Sequence, residues 1–350
     1  MLFLGDEIDR HGEEQQTDSQ FQHGFLTTRN RSIFRYAGVP LIVHTSHGFA
    51  FHEGSPATTL RFYSTLERIA SGWCDRIVSV SEFHRSWAIA LGMCRPGRIV
   101  AIPNGIADLV RNPNIKPAEL RRQLGARSDD LLILNTSRLA PDKGLEYLIE
   151  AAATIPPMGR RVKIIIAGDG PARDGLEQLA AKLGVTDRVT FIGFREDVSD
   201  LLAACDLVVL PSLREGLSIA LLEAMAAGKP IIATSIGSQR EVASHGDMAL
   251  FVPPADAPSL REGILRLAGD QALMARLGNN ARAVYENFYT EDRMLQSYRQ
   301  LYLDLLETKC PKGVAIDSRS RGGLLAGRQE ELSQAYSKVL SSTDQLKDGL

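Results

Sequence analysis

The stretch CDLVVLPSLREGLSIALLEAMAAGKPIIAT, residues 205–234, decides the fold. It holds a continuous apolar run, DLVVLP (206–211), then a polar turn with a glycine, then a helical period through Ile219, Leu222, Met225 and Ala226, then a second apolar run, PIIAT (230–234). A short strand that is apolar at every position needs cover on both faces, which is the condition of a parallel sheet. Two such strands joined by a helix make a βαβ unit. Outward from this unit the alternation recurs: LIVHT (41–45), RIVSV (76–80), RIVAI (98–102), LLILNTS (131–137), VKIIIAG (162–168) and RVTFIG (188–193). Leu145, Leu148, Ile149 and Ala152 fall on one helical face after Pro141-Asp142, and Leu176, Leu179, Ala180 and Leu183 repeat the pattern. Strand and helix in alternation predict a doubly wound α/β fold.

A composition break with three prolines, Pro103 to Leu124, separates the third strand from the fourth. It reads as a linker and divides the chain into a leader (1–20), an N-terminal portion with three strands (21–110), the linker proper (111–127), a C-terminal domain with at least five parallel strands (128–290), a helix (291–307) and a tail (308–350). Asn287 to Leu306 carries the stripe Met294, Tyr298, Leu301, Leu305, and the tail has a short helical pattern from Gln329 to Leu340.

The 350 residues are 44% hydrophobic, 23% charged and 6% aromatic, which excludes collagen-like, disulfide-scaffold and wholly disordered classes. Forty Lys and Arg against 42 Asp and Glu leave a net charge of -2, so the whole molecule has no bias toward a nucleic-acid backbone, and any anion site is local. Cys74, Cys94, Cys205 and Cys310 lie too far apart for a zinc motif and read as small hydrophobes in a reducing compartment. No run approaches the ~20 apolar residues of a bilayer crossing, and a cytoplasmic location is expected. Arg29, Arg31, Arg35, Arg61 and Arg68 give the N-terminal portion a basic character, read either as solvated surface or as peripheral contact with the inner face of a membrane.

In an open parallel sheet, ligands bind beyond the carboxyl ends of the strands, so residues that end strands and begin helices carry the chemistry. Four such places stand out. In SRLAPDKG (137–144), Arg138 and Lys143 share one strand-to-helix turn and could neutralise a diphosphate leaving group; two solvated loop cations are the bland alternative. In PSLREGLS (211–218), Gly216 admits close backbone approach, and the N–H groups of Leu217 and Ser218 at a helix start form an anion site. Glu223, among apolar neighbours in that helix, needs a hydrogen-bonding partner, either ribose hydroxyls or local backbone. Glu215 could accept from hydroxyls of a bound sugar or face solvent as a helix-start acid.

The third place, Gly168-Asp169-Gly170-Pro171, has Arg173 where a dinucleotide fingerprint has its last glycine, so a tight turn is expected there. The fourth, His44-Thr45-Ser46-His47-Gly48-Phe49 with His52-Glu53 beyond, lacks the spacing of a metal site, and a neutral His47 donating to a substrate oxygen is the more economical reading.

Taken together, SRLAPDKG, AGDGP, FIGF, IVSVSE, IPNG and the 205–234 stretch resemble the retaining glycosyltransferases of family 4, over residues 24 to 307. Glu215 and Glu223 form the E-x7-E motif of that family, with the Arg138 and Lys143 pair upstream, and VHTSHGFAFHEG (43–54) is similar to bacterial members that build surface polysaccharides. The resemblance implies a GT-B fold of two Rossmann-like domains. It implies a nucleotide-sugar donor (UDP-, GDP- or ADP-linked), a glycan or lipid-linked acceptor, and no obligatory cofactor or metal. By residue it implies Arg138 and Lys143 on the diphosphate, Glu215 with the backbone of Gly216, Leu217 and Ser218 on the sugar and β-phosphate, and Glu223 on the ribose. His47 would lie near the transferred sugar, with Gly168, Gly193 and Phe194 on the nucleotide. The chain reads EGLS where many members read EGFG, and residues 1–40 hold no glycine-rich loop. The N-terminal domain therefore reads as incomplete, and a nucleotide-sugar-binding fragment without catalysis is the alternative to an active enzyme. A nucleotide-sugar epimerase of similar architecture is a third reading, and an NAD-dependent enzyme is disfavoured by Arg173.

Overall fold

The computed structural model describes residues 41–49, 51, 54–242 and 248–309. The leader and the tail helix expected at 329–340 lie outside the described residues, as does His52. The chain divides into two units, 1–298 and 299–350, of which the second is described only as the end of the last helix.

Two parallel sheets organise the first unit. The smaller has the order β1-β2-β3, with β1 at Val43–Ser46, β2 at Arg76–Ser79 and β3 at Ile99–Ala101. Helix α1 (Ala57–Ser71) joins the first two strands and α2 (Glu82–Ala90) the next two. The larger sheet has six strands in the order β6-β5-β4-β7-β8-β9. These are β4 (Leu131–Thr136), β5 (Val162–Ala167), β6 (Val189–Phe191), β7 (Leu207–Leu210), β8 (Ile231–Thr234) and β9 (Leu250–Val252). The order reverses between β4 and β7, which makes the gap beyond their carboxyl ends the topological switch point.

The runs in β4, β5, β7 and β8 are apolar at nearly every position because both faces are covered. Leu131 and Ile133 pack on one side with Leu145, Leu148 and Ile149, while Leu132 and Leu134 pack on the other with Leu221, Leu222 and Met225. Helices α4 (Leu145–Thr154), α5 (Arg173–Lys182), α6 (Val198–Ala204), α7 (Ile219–Ala226), α8 (Gly237–Val242) and α9 (Ala257–Gly269) alternate with the strands. Leu176 and Ala180 of the expected α5 stripe are buried, whereas Leu183, just past the helix, is 37% exposed.

Three stretches gain detail in the structure. Part of the expected linker is ordered helix, α3 (Pro117–Gln123), because Leu120 and Leu124 join the core of the larger sheet and Arg121 donates to the carbonyls of Ala204 and Asp130 at 2.8 Å each. The last helix, expected at 291–307, is α11 (Glu291–Lys309), and Asn287, where the sequence pattern begins, lies instead at the end of the preceding helix, α10 (Gln271–Phe288). The break between them is held by a parallel bridge of Ile106 with Thr290 and by Ile106 N–H donating to the Tyr289 carbonyl at 3.0 Å. The larger sheet adds a sixth strand, β9 (Leu250–Val252), to the five read in the sequence as a minimum.

Candidate functional site

The turns after β4 and β7 meet. After β4, residues 138–140 run to a single 3-10 turn, Pro141–Lys143, that ends at Gly144 with φ 61°. That left-handed conformation suits glycine, and a Cβ there would stand 2.3 Å from the Pro211 carbonyl oxygen. Leu213 N–H donates to the Asp142 carbonyl at 2.9 Å, so the two loops are tied through backbone. The result is a lysine from one loop and a glutamate from the other in contact: Lys143 Nζ lies 2.8 Å from Glu215 Oε1, with both side chains mostly buried.

Glu215 is also held on its other sides. Ser212 Oγ donates to the same Oε1 at 2.8 Å, Ser238 Oγ donates to the Glu215 carbonyl at 2.9 Å, and Thr234 Oγ1 donates to the Ser212 carbonyl. An ammonium has three hydrogens, so Lys143 keeps two for an anionic ligand after serving Glu215.

Arg138 lies in the same turn; its side chain is 62% exposed and stands 3.5 Å from Asp142, a loose i,i+4 pair. The cause is local: Leu139 N–H donates to the Asp169 carbonyl at 2.8 Å and Leu139 is fully buried, which turns its neighbour Arg138 outward. Gly168 and Gly170 make this docking feasible, since a Cβ at either would meet the carbonyl oxygen of Ser137 at 1.9 Å or of Leu139 at 2.4 Å. The AGDGP turn thus carries the Arg138 loop. Gly168 N–H donates to the Gly193 carbonyl at 2.8 Å, and Phe194 beside it is 74% exposed, an aromatic ring presented to solvent at the same sheet rim.

Beyond Glu215 the chain turns into α7. Ser218 is its N-cap, the hydroxyl accepting from Leu221 N–H at 3.3 Å, so the Ser218 side chain is committed to the helix. The backbone N–H groups of Leu217 and Ser218 find no acceptor among the described residues. The Glu223 carboxylate, in the second turn, likewise has no hydrogen-bond partner among the described residues, and burial pushes its pKa up to about 6. A half-buried carboxylate without a partner is costly, and a ligand with hydroxyl donors relieves that cost.

His47, exposed at the end of β1, reaches this site through its backbone. A Cβ on Gly216 would stand 1.7 Å from the His47 carbonyl oxygen, so the Glu215–Leu217 turn lies against His47 and Gly48. Among the described residues no group of three or more His, Cys, Asp or Glu could hold a metal ion, and no helix is long and apolar enough to cross a membrane.

Sequence reasoning missed Ser212, Ser238 and Glu241. Glu241 caps α2, its carboxylate accepting from the N–H groups of Glu82 and Phe83 at 2.7 Å each, and burial pushes that carboxyl up to about 7. Gly237 lies under the Phe83 ring, where a Cβ would be 2.3 Å from a ring carbon. No local pattern announces the Glu241 contacts, which join residues more than 150 positions apart, and Ser212 and Ser238 become partners of Glu215 only once the turns after β7 and β8 are folded together.

Comparison with known proteins agrees with this architecture. The family model described as glycosyl transferases group 1 matches residues 117–284, and that of glycosyltransferase family 4 matches residues 21–108. The chain is 37% identical over 287 residues to alpha-D-kanosaminyltransferase of Streptomyces kanamyceticus, covering 77% of this chain and 72% of the relative. It is 29% identical over 284 residues to the UDP-Gal:alpha-D-GlcNAc-diphosphoundecaprenol alpha-1,3-galactosyltransferase of Escherichia coli, covering 80% and 73%. The crystal structure of Anabaena HepE in complex with UDP-glucose superposes with a TM-score of 0.72 at 28% identity, covering 80% of this chain and 77% of that one.

Proposed function

The chain belongs to the group 1 glycosyl transferases and is a glycosyltransferase of GT-B fold, and on that premise we propose that it moves a hexose from a nucleotide-diphosphate sugar to a hydroxyl with retention at the anomeric carbon. A UDP-sugar is the favoured donor, supported by the UDP-glucose held by HepE, with GDP- and ADP-sugars as the competing donors. A glycan or lipid-linked acceptor is proposed, supported for the lipid-linked case by the diphosphoundecaprenol in the name of the Escherichia coli relative, with cell-surface polysaccharide synthesis at the cytoplasmic face of the membrane as the setting.

The observation that carries the reading is the 2.8 Å contact of Lys143 with Glu215 at the switch point, beside a helix start with open N–H groups and the unpartnered Glu223. Lys143 turns its remaining hydrogens to the diphosphate, and Arg138 swings in from solvent to share that charge. The N–H groups of Leu217 and Ser218 take β-phosphate oxygens, and Gly216 lets the backbone come close. Glu215 accepts from hydroxyls of the sugar, Glu223 takes the ribose hydroxyls, and His47 borders the transferred sugar. Gly168, Gly193 and Phe194 line the nucleotide. Residues 128–290 form the donor domain and 21–110 the acceptor side.

In the reaction the bond from the anomeric carbon to the β-phosphate oxygen breaks, and the acceptor oxygen bonds to that carbon on the same face. The acceptor proton passes to the departing phosphate oxygen. The protein supplies no covalent nucleophile in this scheme; it stabilises the negative charge that develops on the diphosphate, without an obligatory metal.

Incubating the purified chain with UDP-, GDP- and ADP-glucose and candidate acceptors, and following nucleotide release with anomeric analysis of the product, tests the reading. Retained configuration with one donor supports it. Donor binding with no transfer to any acceptor would instead mark a binding fragment.

A further inference from the structure

The first N–H groups of α2 have no intrahelical acceptor, and the helix's own sequence caps one of them: Ser81 Oγ accepts from His84 N–H at 3.1 Å. Those of Glu82 and Phe83 are left over. The Glu82 side chain does not return to them, because its carboxylate is held by Arg85 and Ser86. Both are taken by Glu241, from α8 on the larger sheet's side. Its Oε1 accepts from Glu82 N–H and its Oε2 from Phe83 N–H, at 2.7 Å each. One carboxylate of the larger sheet's side thus ends a helix of the smaller sheet's side with two directed bonds.

The same short helix is fastened to the donor turn. Ser238, three positions before Glu241 and therefore its neighbour on the helix surface, is 2% exposed and donates through Oγ to the Glu215 carbonyl at 2.9 Å. Gly237 lies under the Phe83 ring, where a Cβ would stand 2.3 Å from a ring carbon, so α2 and α8 meet there with no side chain of α8 between them. A shift of α2 is therefore felt by α8 and, through Ser238, by Glu215. Stability is not what Glu241 contributes. Burial pushes its carboxyl up to about 7 in spite of two N–H donors, so above that pH the folded chain carries an unfavourable buried charge.

We propose that Glu241 is a positioning residue for transfer: it holds the start of α2, and with it the smaller sheet, against α8, so that His47 and the acceptor side stay in place over the donor sugar. The inference rests on the donor-site reading above and adds a role for a residue that touches neither donor nor acceptor. The groups assigned to the nucleotide and diphosphate, among them Lys143, Leu217, Ser218 and Glu223, all lie on the larger sheet's side. Loss of the clasp therefore spares UDP binding and slows transfer.

The test compares wild type with Glu241→Ala, Glu241→Gln, Glu82→Pro and Glu82→Ala in the full chain, with UDP-glucose as donor. Release of UDP gives kcat, calorimetry with UDP gives Kd, and thermal melting reports folding. Glu241→Ala removes both acceptors and Glu241→Gln one. Glu82→Pro breaks the contact from the other side. Proline suits the first helical position, Ser81 before it is already extended at φ -150° and ψ 149°, and the ring removes the N–H and sets a carbon against Glu241 Oε1. Glu82→Ala keeps that N–H. Glu241→Ala is expected to lower kcat on the order of 10- to 100-fold while UDP Kd shifts less than threefold, because the acceptor side alone is displaced. Glu241→Gln should fall between it and wild type, and Glu82→Pro should be slower than Glu82→Ala. Glu241→Ala combined with Glu82→Pro should be no slower than the slower single variant, since both remove one contact. A folded Glu241→Ala with wild-type kcat overturns the proposal, as does a loss of UDP affinity as large as the loss of kcat, which marks a general disturbance of the fold. If Glu241→Ala does not fold, Glu241→Gln and Glu82→Pro decide, and wild-type kcat in both overturns it. Failure of the underlying glycosyl-transfer reading looks different: wild type itself then neither binds UDP nor releases it from the donor.

Discussion

Gly216→Ala is a perturbation whose size can be worked from the structure. The added Cβ would stand 1.7 Å from the His47 carbonyl oxygen, 2.7 Å from its carbon and 3.4 Å from Gly48 N. Ordinary contact begins near 3.4 Å, so the two loops must part by about 1.7 Å, and since the obstacle is backbone no side-chain rotation relieves it. Gly216 is not in the left-handed region, so alanine adds a collision without dihedral strain. The displaced atoms are the ones assigned to the β-phosphate and sugar, and misplacement by ~1 Å costs on the order of 10²-fold in rate. Lys143 and Glu223 lie on other elements and keep their places. We therefore expect kcat for UDP release to fall about 100-fold, with UDP affinity reduced less than tenfold and a modest loss of stability of about 1–3 kcal/mol. Steady-state kinetics, calorimetry and thermal melting measure the three. A Gly216→Ala enzyme with kcat within twofold of wild type would refute the contact as a determinant of the site.

Other substitutions separate the parts. Lys143→Ala removes the ammonium from the diphosphate and leaves Glu215 with Ser212 alone, so kcat should fall about 10²- to 10³-fold while circular dichroism is unchanged; a fully active variant contradicts the charge assignment. Glu223→Gln should weaken UDP binding, and in wild type binding should tighten as pH rises through about 6, where the buried carboxyl ionises and can accept two hydroxyls; titration calorimetry between pH 5 and 7.5 reads both. Stability without ligand runs the opposite way. Because burial raises the folded-state pKa of Glu223 to about 6 and of Glu241 to about 7 from 4.5, the folded chain holds protons that the unfolded chain has lost. Their contribution is complete below pH 4.5 and lost as pH rises through 6 and 7, up to about 2 kcal/mol for Glu223. Glu241→Gln should flatten the upper part of that slope, read as melting temperature against pH.

The strands were legible because a parallel sheet covered on both faces leaves an unmistakable signature: VKIIIAG and LLILNTS have no polar alternation to confuse them with surface strands. Glu215, Glu223 and Lys143 were singled out because strand ends and helix starts in such a sheet define the rim, and the structure does bring Lys143 and Glu215 into contact; their roles toward a donor belong to the proposal. The sequence could not show that Arg138 turns outward, since that depends on Leu139 docking under the Asp169 turn. Nor could it separate linker from helix at Pro117–Gln123, where Pro117, the nearby Pro113 and a charge cluster mask the Leu120 and Leu124 anchor. Glu241 acts between distant segments, so its role exists only once the chain is folded.

A crystal structure of the chain with bound UDP-sugar bears most directly on the account. The diphosphate oxygens should lie ~3 Å from Lys143 Nζ and from Leu217 N, with the ribose hydroxyls on the Glu223 carboxylate. A nucleotide bound away from the β4–β7 switch point, with Lys143 still turned only to Glu215, would contradict it.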